Sequence, residues 1–189
     1  MERNPEYKIN DIFLKRWSPR AIAGKITKEE LLTMLEAGRW APSSYNNQPW
    51  RFIYGLFGTE SFEKLSSLLF DGNSWAKSSG ALVLVISKKT FDRNGKEYKT
   101  HSLEAGSAWQ NVALQGIHMN IYTHGMGGFD YEKAREVFSI PKEYSVEMMF
   151  AVGKSSSKED LSENLAEMET PNNRKPLKEI AFEGVFNHK

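Results

Sequence analysis

The sequence contains no cysteine, and its charges nearly cancel. The absence of cysteine excludes disulfides, thiolate metal sites and a cysteine nucleophile, and it fits a reducing compartment. Lys and Arg number 25 against 24 Asp and Glu, which gives a formal net charge of +1. Because this balance does not favour a long polyanion, nucleic-acid binding is not expected to be the main role.

Long apolar runs are also missing, so no segment is expected to span a bilayer. The first residues, Met-Glu-Arg-Asn-Pro-Glu, lack the apolar centre of a signal peptide. We therefore predict a soluble, cytoplasmic protein without membrane association. A length of 189 residues favours a single domain.

Several motifs of catalysis are absent too. There is no Gly-x-Ser-x-Gly elbow, no His-Glu-x-x-His pair and no phosphate-binding P-loop. The four histidines, at positions 101, 118, 124 and 188, lack metal-ligand spacing, so we predict no metal site and interpret them as structural or peripheral. The run Gly125–Gly128 is no dinucleotide fingerprint, but its glycines let the backbone approach a flat ligand closely.

The most informative stretch is the loop Ala-Pro-Ser-Ser-Tyr-Asn-Asn-Gln-Pro-Trp, residues 41–50. Pro42 and Pro49 exclude helix there, and side chains with hydrogen-bonding groups recur at short spacing: Ser43, Ser44, Asn46, Asn47 and Gln48. An ordinary surface turn and a fixed binding loop for a flat, polar-edged ligand both fit this stretch alone.

Two further polar loops carry cations: Arg-Trp-Ser-Pro-Arg at 16–20 and Asn-Asn-Arg-Lys at 172–175. Each alone would pass for a solvated turn. Together, the three loops offer cations for a phosphate and amides for the edge of a heterocycle. A cofactor bound there would carry the hard chemistry, which explains why no acid, base or nucleophile stands out.

The hydrophobic pattern predicts a sheet covered on both faces. Ala81–Ile86 is a continuous apolar run, typical of a buried strand, and further strands are predicted at 51–57 and 147–153. The capping box Thr27–Glu30 predicts a helix from Lys28 to Trp40. Other helices are predicted near 9–17, 61–70, 103–120, 130–138 and 158–169.

Three segments outside these elements carry specific expectations. Residues 71–77 are predicted to form a loop with an exposed Trp75. The basic segment Lys88–Thr100 is interpreted as a solvated loop or lid, since Asp92 and Glu97 interrupt its charge. The apolar tail residues Phe182, Val185 and Phe186 are expected to pack on the body of the chain or on a partner.

Taken in order, these segments resemble the nitroreductase family of FMN-dependent oxidoreductases, the loop at 41–50 being the specific part. Weaker matches are Arg16–Arg20, Leu103–Ala108, Gly125–Gly128 and Asn173–Leu177. The resemblance implies an α+β fold, a three-layer α-β-α sandwich around a mixed, mainly antiparallel sheet. It also implies one domain over 1–189 and a homodimer with FMN at the interface. An arm at about 170–189 would reach the partner subunit.

By this resemblance, Arg16 and Ser18 hold the FMN phosphate with Arg174 or Lys175, Trp17 is a further cofactor contact, and Arg20 lies near flavin N1 and O2. A cation there would stabilise the charge gained on reduction. The remaining implied contacts to FMN are Gln48, Asn73, Met126, Gly127 and Gly128 and, from the other subunit, Pro42, Ser43, Ser44 and Asn46.

The substrate side is less well defined by the resemblance, because the family varies the element at 88–102. The residues expected there are Trp75, Phe91, Tyr98 and His101. Glu104 stands where many members of the family have Asp.

The implied activity is electron transfer from NADPH or NADH through FMN to a small-molecule acceptor, a nitroaromatic or quinone, by a ping-pong mechanism. A specialised dehalogenase, ring dehydrogenase or enal or semialdehyde reductase is the first alternative. A flavin-binding protein with little turnover is the second. A cofactor-free interaction domain is the third, and it would require the three polar loops to be unrelated in space.

Overall fold

A computed structural model describes residues 3–186 of the chain. The α-helices are α1 (Asp11–Lys15), α2 (Lys28–Arg39), α3 (Glu60–Ser66), α4 (His101–His118), α5 (Tyr131–Val137) and α6 (Glu163–Glu167). The strands are β1 (Ile22–Ala23), β2 (Trp50–Leu56), β3 (Ala81–Lys88), β4 (Tyr122–Met126) and β5 (Tyr144–Ser155). Short 3₁₀ turns occupy Ser44–Asn46, Asp71–Ser78, Lys158–Asp160 and Leu177–Glu179.

The sheet is organised around β5, the longest strand. β5 pairs with β3, which in turn pairs with β2, and β5 also pairs with β4 and, at its C-terminal end, with β1. All of these pairs are antiparallel, so the mainly antiparallel sheet is confirmed. No parallel pair, which a mixed sheet needs, forms within residues 3–186.

Helices cover both faces of this sheet. Alternate side chains of β3 point to opposite faces, as the strand period requires. Leu82 and Leu84 join the core under α3 and α5, while Val83 and Val85 join the core under α2 and α4. Every residue of Ala81–Ser87 is buried. The predicted three-layer α-β-α sandwich is therefore confirmed.

Helices α2 and α4 pack closely because small residues line their contact. A Cβ added at Gly38 in α2 would lie 2.8 Å from Cγ2 of Val112 and 3.1 Å from the carbonyl oxygen of Ala108. The predicted capping box at the start of α2 is present: Thr27 Oγ1 accepts from the Glu30 amide at 3.0 Å, and Glu30 Oε2 accepts from the Thr27 amide at 2.7 Å. The helix therefore delivers the chain to the loop at 41–50 in a fixed direction.

Two predicted elements differ from the structure. The segment 122–126 is strand β4, held to β5 by pairs such as Thr123 with Val152, although its glycine gives it weak strand propensity. The helix predicted over 158–169 is a 3₁₀ turn followed by the short α6. In the part of the chain that the structure describes, no helix is long and apolar enough to cross a membrane.

Candidate functional site

Two of the three polar loops form one cavity. Arg16–Arg20 precedes β1, residues 172–174 follow α6, and together they line a cavity of about 370 Å³. We call it the cationic pocket, and it is lined by Arg3, Arg16, Trp17, Ser18, Arg20, His124, Met168, Thr170, Asn172 and Arg174. The fold has thus brought together cations from opposite ends of the sequence.

The cationic pocket holds clustered positive charge. Burial lowers the pKa of Arg16, and repulsion from Arg174 and Arg3 lowers it further. Burial and Arg174 likewise lower the pKa of Arg3. Among residues 3–186, none of these three guanidinium groups is paired with a carboxylate. Guanidinium groups without a counter-ion suit a phosphate, whose oxygens accept pairs of N–H donors.

Arg3 belongs to the pocket although no sequence motif predicts it. Its Nη1 donates to the carbonyl oxygens of Leu14 and Arg16, both at 2.8 Å, and its Nε donates to the carbonyl oxygen of Asn172 at 3.1 Å. The side chain thereby ties the end of α1 to the late loop. Since the contact with Asn172 spans 169 residues, no local sequence signal could have revealed it.

The backbone that carries Arg20 is held from two sides. Nδ1 of His124, on β4, donates to the carbonyl oxygen of Pro19 at 2.9 Å. The carboxylate of Glu169 accepts from the amides of Arg20 at 2.8 Å and Ala21 at 2.7 Å. In contrast to the backbone, the Arg20 guanidinium has no hydrogen bond or ion pair to any residue in 3–186.

The surroundings of His124 favour its neutral form. Burial lowers its pKa, the hydrogen bond to Pro19 opposes that shift, and the nearby Arg20 charge lowers the pKa again. The imidazole packs against the indole of Trp75 with ring centroids 4.6 Å apart. Trp75 is only 8% exposed, so the predicted exposure of this residue is wrong. The turn Asp71–Ser78 folds the indole into the core instead of leaving it in a solvated loop.

Gly128, just after β4, contacts Asn73. The two residues must lie close together if both are to contact the same FMN. Asn73 Nδ2 donates to the carbonyl oxygen of Gly128 at 2.9 Å. A Cβ at Gly128 would lie 2.7 Å from that nitrogen, so any side chain there would displace Asn73. Met126 is buried at the end of β4, and Gly127 is exposed. Because His124 lies on the same strand, this group adjoins the cationic pocket along β4.

The third polar loop lies elsewhere on the chain and does not line the cationic pocket. It is strained: Tyr45, Asn46 and Gln48 have φ values of 52°, 54° and 48°, which non-glycine residues rarely adopt. Ser43 Oγ accepts from the Gln48 amide at 3.1 Å and so stabilises the turn. Strained backbone of this kind persists where the surroundings fix it, and it clusters at functional sites. Pro42, Ser44 and Asn46 are exposed.

A buried carboxylate joins this loop to the basic segment. Glu104, 8% exposed on α4, accepts from the Ser44 amide at 3.2 Å and from Thr100 Oγ1 at 2.7 Å. It also accepts from the hydroxyl of Tyr98. Asn47 Oδ1 accepts from the amide of residue 92 at 2.9 Å. We call the loop 43–48 and the segment 88–100 together the aromatic loop region.

The aromatic side chains of this region stack on one another. The rings of Phe91 and Tyr98 lie 4.1 Å apart and nearly parallel, and Tyr45 meets Phe91 edge-on at 5.9 Å. Tyr98 is 1% exposed, and burial together with Glu104 raises its pKa. This burial does not fit the predicted contact of Tyr98 with a substrate; the ring supports Phe91, which stays half-buried.

His101, another expected substrate residue, is bonded within the chain. Its Nδ1 lies 2.6 Å from Ser87 Oγ and 3.4 Å from Glu147 Oε1, and Ser87 also donates to Glu147. Ser87 is fully buried, so this serine, histidine and glutamate group has no accessible nucleophile. Its geometry instead anchors the start of α4 to the sheet. Among the described residues, no cluster of His, Asp and Glu could hold a metal ion.

Of the two cations of the late loop, Arg174 and Lys175, only Arg174 reaches the cationic pocket. Arg174 lines the cationic pocket, whereas Lys175 does not and lies along a neighbouring cavity of about 520 Å³ between the N-terminal segment and residues 172–180. Val185 and Phe186 are 73% and 78% exposed, and their packing on a partner stays a prediction. Of the predicted arm at 170–189, residues 187–189 lie outside the described residues.

Solved structures share this fold over nearly the whole chain. A crystal structure described as "the oxidoreductase containing FMN" is 41% identical, with a TM-score of 0.94, and the match covers 99% of this chain and 97% of that one. A nitroreductase-like protein from Exiguobacterium sibiricum, crystallised with FMN, is 21% identical with a TM-score of 0.76, covering 96% and 99%. The second match, at this identity, shows the fold alone.

Sequence relatives agree with that assignment. The protein named "Putative NAD(P)H nitroreductase YdgI" from Bacillus subtilis is 26% identical over 174 residues, covering 71% of this chain and 81% of its own. DrgA from Synechocystis is 28% identical over 157 residues, covering 69% and 75%. The sequence pattern of the nitroreductase family matches residues 14–55 and 59–154, which is most of the chain. With the sandwich fold and the cationic pocket in place, this match shows that the chain belongs to the nitroreductase family.

Proposed function

We propose that the chain is an FMN-dependent oxidoreductase that takes electrons from NAD(P)H and passes them to a small acceptor, a nitroaromatic or a quinone. The cationic pocket carries this proposal. Its four guanidinium groups, those of Arg3, Arg16, Arg20 and Arg174, have no carboxylate ion-pair partner within the described residues, which suits a site for a phosphate monoester. The name of YdgI and the FMN of the 41% identical structure support the same assignment.

The residues present fit FMN at both of its ends. Arg16, Ser18 and Arg174 would hold the phosphate, with Trp17 beside them. Arg20, in the same pocket, has a guanidinium free to meet the flavin ring. The contact between Gly128 and Asn73 leaves no space for a side chain, which suits a backbone that lies against a flat ring.

The third polar loop would complete the site from a second copy of the chain. Pro42, Ser44 and Asn46 are exposed and lie away from the cationic pocket of their own chain. Large apolar side chains are exposed as well, among them Phe13, Leu103, Ile180, Val185 and Phe186. Exposed apolar surface of this kind is typical of a protein interface. The proposal is therefore a homodimer in which Ser43 and Gln48 shape the contributed loop.

Bound FMN would supply reversible two-electron chemistry, in which NAD(P)H is oxidised to NAD(P)⁺ in one half-reaction and the acceptor is reduced in the other. The chain contributes binding and electrostatics. Arg20 would stabilise negative charge at the N1 and O2 edge of the ring. Phe91 would offer an apolar face to the acceptor, and the stack on Tyr98 would hold that face in place.

The proposal is tested by the visible absorption spectrum of the purified protein, before and after anaerobic addition of NADPH and then NADH. A flavin spectrum that bleaches on addition is expected, and the faster donor identifies the preference. A panel of nitroaromatics, quinones, haloaromatics and enals then separates the general reductase from a specialised one. A colourless protein that takes up no added FMN would contradict the proposal.

A cofactor-free interaction domain is disfavoured by the same pocket. That alternative requires the polar loops to be unrelated in space, and two of the three meet. A flavin-binding protein with little turnover would show tight FMN binding with slow bleaching. The cytoplasmic location stays a prediction from composition.

A further inference from the structure

The segment Pro19–Ala21 is fixed by two side chains that come from distant parts of the chain. His124 lies 105 residues after Pro19, and Glu169 lies 149 residues after Arg20. One binds a carbonyl group and the other binds two amide groups of the same short segment. Neither contact belongs to a helix or to a strand ladder.

Together with the sheet, these contacts occupy the polar backbone groups of the segment. The carbonyl oxygen of Arg20 accepts from the Ile22 amide, and that of Ala21 accepts from the Ser156 amide, both at 2.8 Å. Both carboxylate oxygens of Glu169 lie within 3.0 Å of the Arg20 amide nitrogen. The backbone that carries Arg20 is therefore rigid, although its side chain is long.

The two clamping side chains are themselves supported. The imidazole of His124 lies on β4 and packs against the buried indole of Trp75, which fixes the ring plane. Glu169 follows α6, whose Leu165 packs on the core under the sheet. Both contacts are thus anchored to the body of the protein.

We propose that His124 and Glu169 are positioning residues that set where the Arg20 guanidinium meets the flavin ring. This inference rests on the proposed function, because it assigns Arg20 to the flavin. A charge stabilises a developing charge only when it is held in place, and a displacement of about 1 Å costs a large factor in rate. Fixing the backbone also reduces the conformational entropy that Arg20 loses when it binds.

The guanidinium groups at the phosphate end of the cofactor do not depend on this clamp, although His124 also bonds to the backbone of Ser18. Arg16 and Arg174 approach the pocket from other backbone positions, and Arg3 ties those positions together. Loss of the clamp should therefore change the reduction of the flavin and leave its retention nearly unchanged. A merely structural role would weaken both.

Two pairs of variants separate the clamp from general damage. Glu169→Ala removes the acceptor of the Arg20 and Ala21 amides, and Glu167→Ala removes an exposed carboxylate two residues earlier. His124→Leu removes the Nδ1 donor, whereas His124→Asn keeps an amide N–H at nearly the same place. The holoprotein is measured for its midpoint potential, its rate of anaerobic reduction by NAD(P)H and its FMN dissociation constant.

We expect flavin reduction to be about tenfold slower in Glu169→Ala and in His124→Leu. His124→Leu, which removes no carboxylate, should also lower the midpoint potential of the flavin. The FMN dissociation constant should change by less than about threefold, because the phosphate contacts stay in place. His124→Asn should recover most of the rate, and Glu167→Ala should match the parent protein.

Equal effects on reduction and retention, or clamp variants that match Glu167→Ala, would overturn the inference. If Glu169→Ala does not fold, His124→Leu and its control His124→Asn carry the test, since they remove and keep the donor to the Pro19 carbonyl oxygen. A parent protein that binds no FMN would overturn the proposed function and the clamp together. If the parent protein binds FMN and its flavin is reduced, but the clamp variants behave like the parent, the inference about the clamp is overturned and the proposed function stands.

Discussion

In the cationic pocket, four guanidinium groups have no carboxylate ion-pair partner among the described residues. In the aromatic loop region, one buried carboxylate accepts three hydrogen bonds. Burial, and after it repulsion between neighbouring arginines, lowers the pKa of Arg16 and Arg3, so the pocket favours the binding of an anion. In the aromatic loop region, Glu104 satisfies three hydrogen-bond donors within the same chain. The first region is therefore expected to determine affinity for an anion, and the second to determine its own shape and stability.

The largest effect is expected from removing the carboxylate of the aromatic loop region. Glu104→Ala leaves the Ser44 amide and the hydroxyls of Tyr98 and Thr100 without their acceptor. Unpaired buried groups should lower the free energy of unfolding by about 3 kcal/mol, measured by urea denaturation. The exposed Glu97→Ala is the matched control, and an equal stability of the two variants would contradict the comparison.

Arg16→Ala should act on the cationic pocket alone. It removes a donor from the proposed phosphate site, so the FMN dissociation constant should rise roughly 10- to 100-fold, as expected for a hydrogen bond to a charged group. Titration of the apoprotein, followed by flavin fluorescence, measures this change. Arg39→Ala, on the exposed face of α2, should leave the constant unchanged. Unfolding stability should fall little, in contrast to Glu104→Ala.

Arg20→Ala should show that the cationic pocket has two separate functions, FMN retention and flavin reduction. Because Arg20 is assigned to the flavin ring, its loss should slow anaerobic reduction by about tenfold or more and change FMN retention less. Stopped-flow bleaching together with the fluorescence titration gives both quantities. If Arg20→Ala and Arg16→Ala affect the two quantities equally, the assignment of separate roles fails.

Phe91→Ala should distinguish a residue that contacts the acceptor from one with a structural role. Phe91 is half-buried, while His101 is bonded to Ser87 and Glu147. We therefore expect Phe91→Ala to change the ratio of kcat/KM between two acceptors by several-fold, within the range for one apolar contact. His101→Ala should lower the melting temperature and leave that ratio unchanged. The reverse pattern would restore His101 as a substrate residue.

The smallest effect is expected from pH, through His124. Its pKa in the folded chain is lowered by burial and by Arg20, against an ordinary value of 6.5. The unfolded chain therefore binds the proton first as pH falls, so stability is full above about pH 6.5 and declines below it toward the folded pKa. Unfolding at pH 7.5 and pH 5.5 measures the difference, and His124→Asn should reduce it. If the stability of His124→Asn depends on pH as strongly as that of the parent protein, other groups cause the pH dependence.

Prediction from sequence succeeded where the signal is local. The capping box at Thr27–Glu30 specifies the start of α2, and the apolar run at 81–86 specifies a strand buried on both faces, because these patterns follow from helix and strand periodicity. The strand β4 was missed, since its glycine weakens its strand propensity and pairing with β5 stabilises it.

The site was predicted in part, for the same reason. Arg16, Arg20 and Arg174 were predicted from composition and family resemblance, and they meet in one pocket. Arg3 and Glu169 were not predicted, because each acts through backbone contacts that span most of the chain. The burial of Trp75 and Tyr98 also depends on long-range packing, which a run of polar neighbours does not reveal.

The sequence by itself determined the family, the layers of the sandwich and the supply of cations, since motifs and hydrophobic periodicity are local properties. The tertiary structure decided which cations meet, which polar groups are already bonded and which remain available. Contact across 169 residues, as between Arg3 and Asn172, depends on how the whole sheet is assembled. Local propensities do not reveal which residues far apart in sequence will meet, because the assembled sheet decides those contacts.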